Sequence, residues 1–116
     1  LGFQGKDMEA VLDLGSEKAF SKVTGSFLRN HGSWIFLPVK VKIFTSNDGK
    51  DYQLLGEVSE PVPQQQQENQ RKVIALTKSS TARYIKVVAE TIGQCPSWHS
   101  GNGGNAWLFV DELSVE

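Results

Sequence analysis

Between Val39 and Thr45 the chain reads VKVKIFT, with Val39, Val41 and Ile43 on one side of an alternation and Lys40 and Lys42 on the other. Period two belongs to a strand with one buried face; a helix would repeat its apolar positions about every 3.6 residues. The same alternation, less regular, runs through residues 9–14, 20–28, 52–58, 72–76, 83–90 and 106–115. Turn residues punctuate the series: Gly15 closes the first segment, and Asp48-Gly49 joins the strand at 39–45 to the one at 52–58. No long segment has a helical period, and residues 16–19 are a turn at most. Short strands with turn signals between them predict an all-β antiparallel sandwich or jelly roll. A chain of 116 residues holds one such domain with one core, residues 1–116.

Charge is nearly balanced, 12 Lys and Arg against 13 Asp and Glu, and no basic stripe gathers on one segment, so nucleic acid is a poor partner. The apolar runs are too short for membrane insertion. The single cysteine, Cys95, has no internal partner, which leaves the hydrophobic core to hold the domain together. Residues 60–72, EPVPQQQQENQRK, are polar, carry two prolines, and read as a solvated connection. The opening LGFQGKDMEA begins as if in mid-sequence, so the chain is expected to be a piece of a longer protein.

Catalytic chemistry finds little support. Cys95 and His99 are four apart, but no second cysteine or acidic cluster completes a nucleophile–base pair or a zinc set; a packed thiol beside a polar loop histidine is expected. Asp111 and Glu112 are neighbours on a strand, so they face opposite ways and cannot converge on one bond. GNGG at 101–104 lacks the Lys-Ser or Lys-Thr and the following helix of a phosphate cradle. The chain is read as non-catalytic, with no cofactor and no metal.

Two loops concentrate the remaining chemistry. LRNHGSWIFLP (28–38) and GQCPSWHSGNGGNAW (93–107) hold all three tryptophans and both histidines. Loops of a sandwich gather at its ends, and these two are expected at the same end. The mixture suits a sugar: an indole covers the C–H face of a pyranose, and polar side chains bond the hydroxyl rim. Trp98 or Trp34 is the expected stacking surface, with Trp98 on an open, water-facing shelf; His99, Asn102, Asn105 and Arg29 are the expected polar contacts, and the glycines let the backbone turn tightly around the ligand. Trp107 opens the last strand and is expected to cap the sandwich. The competing readings are structural. Trp34 suits packing, His31 and His99 suit ordinary loop positions, Asn30 suits a turn cap, and Asn102 and Asn105 suit positive φ. The chain would then be a ligand-free module that docks on a catalytic domain through Trp34, Phe36 and Trp98.

VKIFTSNDGKDYQLLGEV, with Ser46, Asp48, Gly49 and Tyr52, resembles the strand, Ser-x-Asp-Gly, aromatic, strand signature of the discoidin, or coagulation factor 5/8 type C, superfamily. ARYIKVVAE (82–90), Asp13-Leu14-Gly15 and the closing DELSVE are similar to the same family, in the same order. WIFLP, followed by Cys95-Pro96-x-Trp98-His99, a glycine-rich run and Ala106-Trp107-x-Phe109-x-Asp111-Glu112, resembles the C-terminal modules of bacterial family 20 β-hexosaminidases (chitobiase-like), which are family 32 carbohydrate-binding-module-like. The resemblance implies an eight-stranded discoidin-like jelly roll, galactose-binding-domain-like, whose end loops bind carbohydrate of galactose or N-acetylhexosamine type. It implies a parent glycoside hydrolase, exported to the periplasm, cell surface or medium, with the catalytic domain on the same polypeptide. It also implies that a first segment carrying Asp-Gly and Thr-x-Trp, the source of most ligands of a structural calcium site, precedes Leu1; Glu112 matches the glutamate that completes that site, and alone offers too few oxygens for a hard cation.

Overall fold

The computed structural model describes residues 2–116. Among the described residues there are six strands, β1 (Gly2–Gln4), β2 (Met8–Arg29), β3 (Lys40–Ser46), β4 (Gln53–Ser59), β5 (Gln70–Glu90) and β6 (Trp107–Val115), and one 3-10 turn at His31–Ser33. They are hydrogen-bonded in the order β1-β6-β2-β5-β3-β4, and every pairing is antiparallel. Among the described residues no helix is long and apolar enough to cross a membrane.

Alternation carries β3 as the sequence predicts. Val41 and Ile43 are buried, while Lys40 and Lys42 reach across the outer face to Glu57 at 3.6 Å and Glu90 at 3.1 Å. Two pairs of expected strands prove to be single long ones. Segments 9–14 and 20–28 are both in β2, and 72–76 and 83–90 are both in β5. At about 3.3 Å per residue, a straight 22-residue β2 would reach about 73 Å, yet the molecule is 46 Å in its longest dimension. The strand must therefore bend, and irregularities of register between Asp13 and Lys18 and between Phe20 and Lys22 mark where. At the first, the Gly15 N–H donates to Asp13 Oδ1, and Arg83 of β5 holds both carboxylate oxygens of Asp13 at 3.0 and 3.1 Å. Residues 16–19 fall in this same irregularity. The bent β2 and β5 each contribute two arms, so six strands supply the eight segments of a sandwich whose core holds Phe27, Val41, Ile43, Ile85, Val87 and Leu108.

The Ser-x-Asp-Gly signature is a self-contained turn. Asp48 Oδ1 accepts the N–H groups of Asp51 and Lys50 and the Ser46 hydroxyl, and Ser46 Oγ in turn accepts the Gly49 N–H. Those bonds, the Asp51 and Lys50 amides first, hold the Asp48 carboxyl down at about 2. Gly49 turns with φ 75° against the Tyr84 ring.

Asp111 sits opposite a register shift, because Ser26 pairs with Glu112 and Phe27 with Val110. The bulge leaves both Asp111 and Glu112 exposed, rather than on opposite faces of a regular strand, and Asp111 pairs with Arg71 at 3.0 Å. Glu112 shares a shallow hollow with the hydroxyl residues Thr24, Ser26 and Ser114 and the guanidinium of Arg71. One carboxylate beside a cation does not fit a calcium ion, so the described residues do not form such a site.

Candidate functional site

The two loops singled out above do meet, at one end of the sandwich. Asn30 and Ile35 exchange both backbone hydrogen bonds and close a small loop over the 3-10 turn, which Asn30 caps through its side chain to the Ser33 N–H. The turn ends on Trp34 in the left-handed region, φ 65° and ψ 23°. Among the described residues Trp34 is the sole non-glycine at positive φ. A bulky L-residue there costs on the order of 1–2 kcal/mol. The Trp107 N–H donates to the Trp34 carbonyl at 2.7 Å and the Phe36 N–H to the Trp107 carbonyl at 2.9 Å, which holds the strained residue in place.

The conformation lays the Trp34 indole on the glycine-rich loop. A Cβ placed on Gly101 would sit 2.6 Å from both Cε2 and Cζ2 and 3.0 Å from Cδ2 of that ring. Near-equal distances to three ring atoms can be met only from above the ring plane, so the Gly101 backbone lies under the indole face. A Cβ on Gly104 would be 2.6 Å from Cζ3. Neither glycine is among those at positive φ. Their missing side chains provide space for an aromatic ring, while the tight turning expected from the sequence falls to Gly93 and Gly103, at φ 87° and 83°. Trp34 is left 37% exposed and is the exposed tryptophan of the described residues.

Beneath it, His99 is 5% exposed. Its Nδ1 accepts the Gly101 N–H at 2.8 Å and its Nε2 donates to the His31 carbonyl, which fixes the neutral tautomer and ties the glycine loop to the 3-10 turn. Its ring meets Trp34 edge-on at 6.2 Å. Trp98 is half-buried and packs on a small satellite core of Phe36, Cys95 and Ala106. Its rings lie near His31 (5.3 Å), His99 (5.7 Å) and Phe36 (6.2 Å), and its Nε1–H donates to the Pro63 carbonyl at 3.0 Å. The open shelf expected at Trp98 is thus at Trp34, because the Trp98 N–H finds an acceptor 35 residues away in the 60–72 connection. Burial pushes the Cys95 thiol up, keeping it protonated and inert.

Arg29 does not point at the indole shelf. Its guanidinium donates to the Glu68 carbonyl, Gln67 Oε1 and Gln70 Oε1 at 2.8, 2.8 and 2.9 Å. The connection expected to be merely solvated is therefore pinned to the site by Arg29, by Trp98, and by His31, whose Nδ1 accepts the Gln67 N–H at 3.1 Å. His31 is 1% exposed and stacks on Phe36 at 4.6 Å. Its burial, with Arg29 and His99 nearby, lowers its pKa and keeps the ring neutral. Asn102 and Asn105 are exposed on the glycine loop; the Asn102 N–H donates to the His99 carbonyl, and the Asn105 side chain lies against Gly5. His31, missing from the sequence-based set, carries no local signal beyond its place in Asn30-His31-Gly32.

The model of the F5/8 type C domain matches residues 3–113. Among solved structures, CpGH89CBM32-5 from Clostridium perfringens, solved in complex with GalNAc-β-1,3-galactose, is similar with a TM-score of 0.58 at 23% identity, over 92% of this chain and 63% of that one. The C-terminal domain of a chitobiase from Bacteroides fragilis is similar with a TM-score of 0.60 at 26% identity, over 95% of this chain and 62% of that one. The chain thus spans less than two thirds of either structure. A comparison with curated proteins gave no match.

Proposed function

The chain belongs to the F5/8 type C domain family, and on that premise we propose that it is a non-catalytic carbohydrate-binding module of a glycoside hydrolase. The observation that carries this reading is Trp34: an indole with one face on glycine backbone, 37% exposed, and held in the left-handed conformation that closes the 3-10 turn. Strain maintained at an exposed aromatic ring is a mark of binding surfaces. The pyranose stacks on Trp34, and Asn102 and Asn105 reach its hydroxyl rim. Trp98, His99 and Arg29 act from behind: His99 fixes the shelf, while Trp98 and Arg29 hold the flanking connection.

A terminal sugar of galactose or N-acetylhexosamine type is the ligand. The disaccharide bound by CpGH89CBM32-5 supports that class, and the likeness to the chitobiase domain supports a parent β-N-acetylhexosaminidase of family 20. On this reading the parent is bacterial and exported, its catalytic domain lies elsewhere on the polypeptide, and residues 1–116 are one module of it. Tethering raises local substrate concentration, so weak binding suffices.

A glycan array with N-acetylglucosamine, N-acetylgalactosamine and galactose termini tests the reading on this chain and on Trp34→Ala. Binding by the first and loss in the second, with Tm moved by less than about 5 °C, is expected; that limit corresponds to about 1 kcal/mol for a domain of this size. Undiminished binding by Trp34→Ala refutes the stacking role. An empty array, together with co-purification of the chain on its catalytic domain, would instead make it a docking module.

A further inference from the structure

Two buried imidazoles stand between the indole shelf and the 60–72 connection, and each meets a backbone N–H at the same ring atom. His99 accepts the Gly101 N–H at Nδ1 and donates from Nε2 to the His31 carbonyl. His31 accepts the Gln67 N–H at Nδ1. A neutral imidazole has one lone pair in its ring plane, and in both rings that amide occupies it. A proton that charges either ring must take the same lone pair. The ring would then aim an N–H at an amide N–H inside the fold. At both positions, charge and hydrogen bond exclude each other.

No acid stands by to hold the charged form. Phe36 packs against both rings, at 4.6 and 5.3 Å, and Trp98 lies on the same side. The charged and titratable groups around the pair are Arg29 at the end of β2, the Cys95 thiol in the satellite core, and the Lys72–Glu60 ion pair, closed at 2.8 Å across the hollow that His31 borders. Among the described residues no carboxylate bonds either imidazole. His31 Nε2 is buried without an acceptor, so nothing on that side of the ring steadies an added charge. Burial first, then Arg29 and His99, push the His31 pKa below its ordinary value of 6.5. The neutral arrangement therefore keeps its full stability above that pH and loses it as pH falls below.

The two amides matter because of what they carry. The Gly101 backbone is the floor under the Trp34 indole, and Gln67 belongs to the connection that flanks the site. This end of the molecule rests on the small core of Phe36, Cys95 and Ala106, separate from the main core of Phe27, Ile43 and Ile85. It can open without unfolding the sandwich.

We propose that His31 and His99 form an acid-operated latch on the site: protonation of His99 at Nδ1 releases the Gly101 amide and unseats Trp34, and protonation of His31 at Nδ1 releases the Gln67 amide and frees the connection. Release of sugar on acidification rests on the reading of Trp34 as a sugar platform; the opening itself does not.

The test is an NMR titration of the whole chain from about pH 8 to about pH 4.5, the range in which imidazoles charge. The ¹⁵N signals of both rings report protonation, and hydrogen exchange, corrected for its intrinsic pH dependence, reports the amides. Protection at Gly101 and Gln67 should fall at least about tenfold as the rings charge, the scale of one buried hydrogen bond, while Ile43 and Val87 keep theirs. His99→Asn places a non-titrating oxygen near the Nδ1 position, and protection at Gly101 should then no longer respond to acid. Rings that stay neutral until the whole domain unfolds, unchanged protection once they are charged, or an undiminished acid response at Gly101 in His99→Asn would overturn the latch. Affinity for N-acetylgalactosamine should weaken at least about tenfold over the same range. Acid opening in a chain that binds no sugar at any pH, or whose sugar binding acid leaves intact, would refute the Trp34 platform and leave the latch standing.

Discussion

Gly101→Ala tests whether the glycine loop exists to seat an indole. Two effects oppose each other. Gly101 is not at positive φ, so alanine can adopt its backbone, and loss of glycine's freedom in the unfolded chain would stabilise by about 0.4–1 kcal/mol. Against that, the new methyl would stand 2.6 Å from Cε2 and Cζ2 of Trp34, about 1 Å inside an ordinary carbon contact of roughly 3.5–4.0 Å. Trp34 cannot slide freely, since its carbonyl is bonded to Trp107 and its ring abuts His99. Overpacking of this kind costs about 1–3 kcal/mol, so the clash wins and the net loss is about 1–2 kcal/mol. Urea denaturation should show a midpoint lower by about 0.5–1 M. Repeating the substitution in Trp34→Ala removes the ring, and there Gly101→Ala should become neutral or stabilising. Equal destabilisation in both backgrounds, or a single-variant effect within about 0.5 kcal/mol of zero, would show that Gly101 does not serve Trp34.

The Asp48 carboxyl is held at about 2, below its unfolded value, so its contribution is fully present above the unfolded carboxylate pKa and is lost as pH falls through 2. Denaturant midpoints from pH 5 to pH 2 should therefore fall less steeply in Asp48→Ala than in the parent, and parallel curves would contradict the turn described here. Trp98→Phe keeps the packing on Phe36 but removes the N–H that bonds Pro63. Hydrogen exchange at the Gln67 amide, bonded to His31 in the same connection, should speed up at least several-fold; unchanged protection would mean that Arg29 and His31 anchor the connection without Trp98.

Much of the fold was legible because alternation reports burial directly, as Val41 and Ile43 against Lys40 and Lys42 do in β3. What was not legible was continuity. The sequence breaks at Gly15 and around Ser79, where bent strands pass through irregular pairing, look like strand ends when read locally. β1 was missed altogether, since Gly2, Phe3 and Gln4 are too few to alternate, and they become a strand only because β6 offers an edge. At the site, composition picked out two loops that do meet at one end of the sandwich, but it did not foresee that Arg29 and Trp98 bond the 60–72 connection. It could not rank the tryptophans, because exposure of Trp98 is decided by the Pro63 carbonyl and seating of Trp34 by the spaces at Gly101 and Gly104. Both are long-range facts with no local trace.

The sheet order has a bearing on how the chain reaches this state. β6, made last, lies between β1 and β2, made first. During synthesis β1 and this edge of β2 therefore lack their β6 partner, and the edge stays open until Val115 has left the ribosome. Distant pairings of this kind close slowly, on the order of milliseconds to seconds, so the nascent module waits with a bare edge that a chaperone or another nascent chain can reach first.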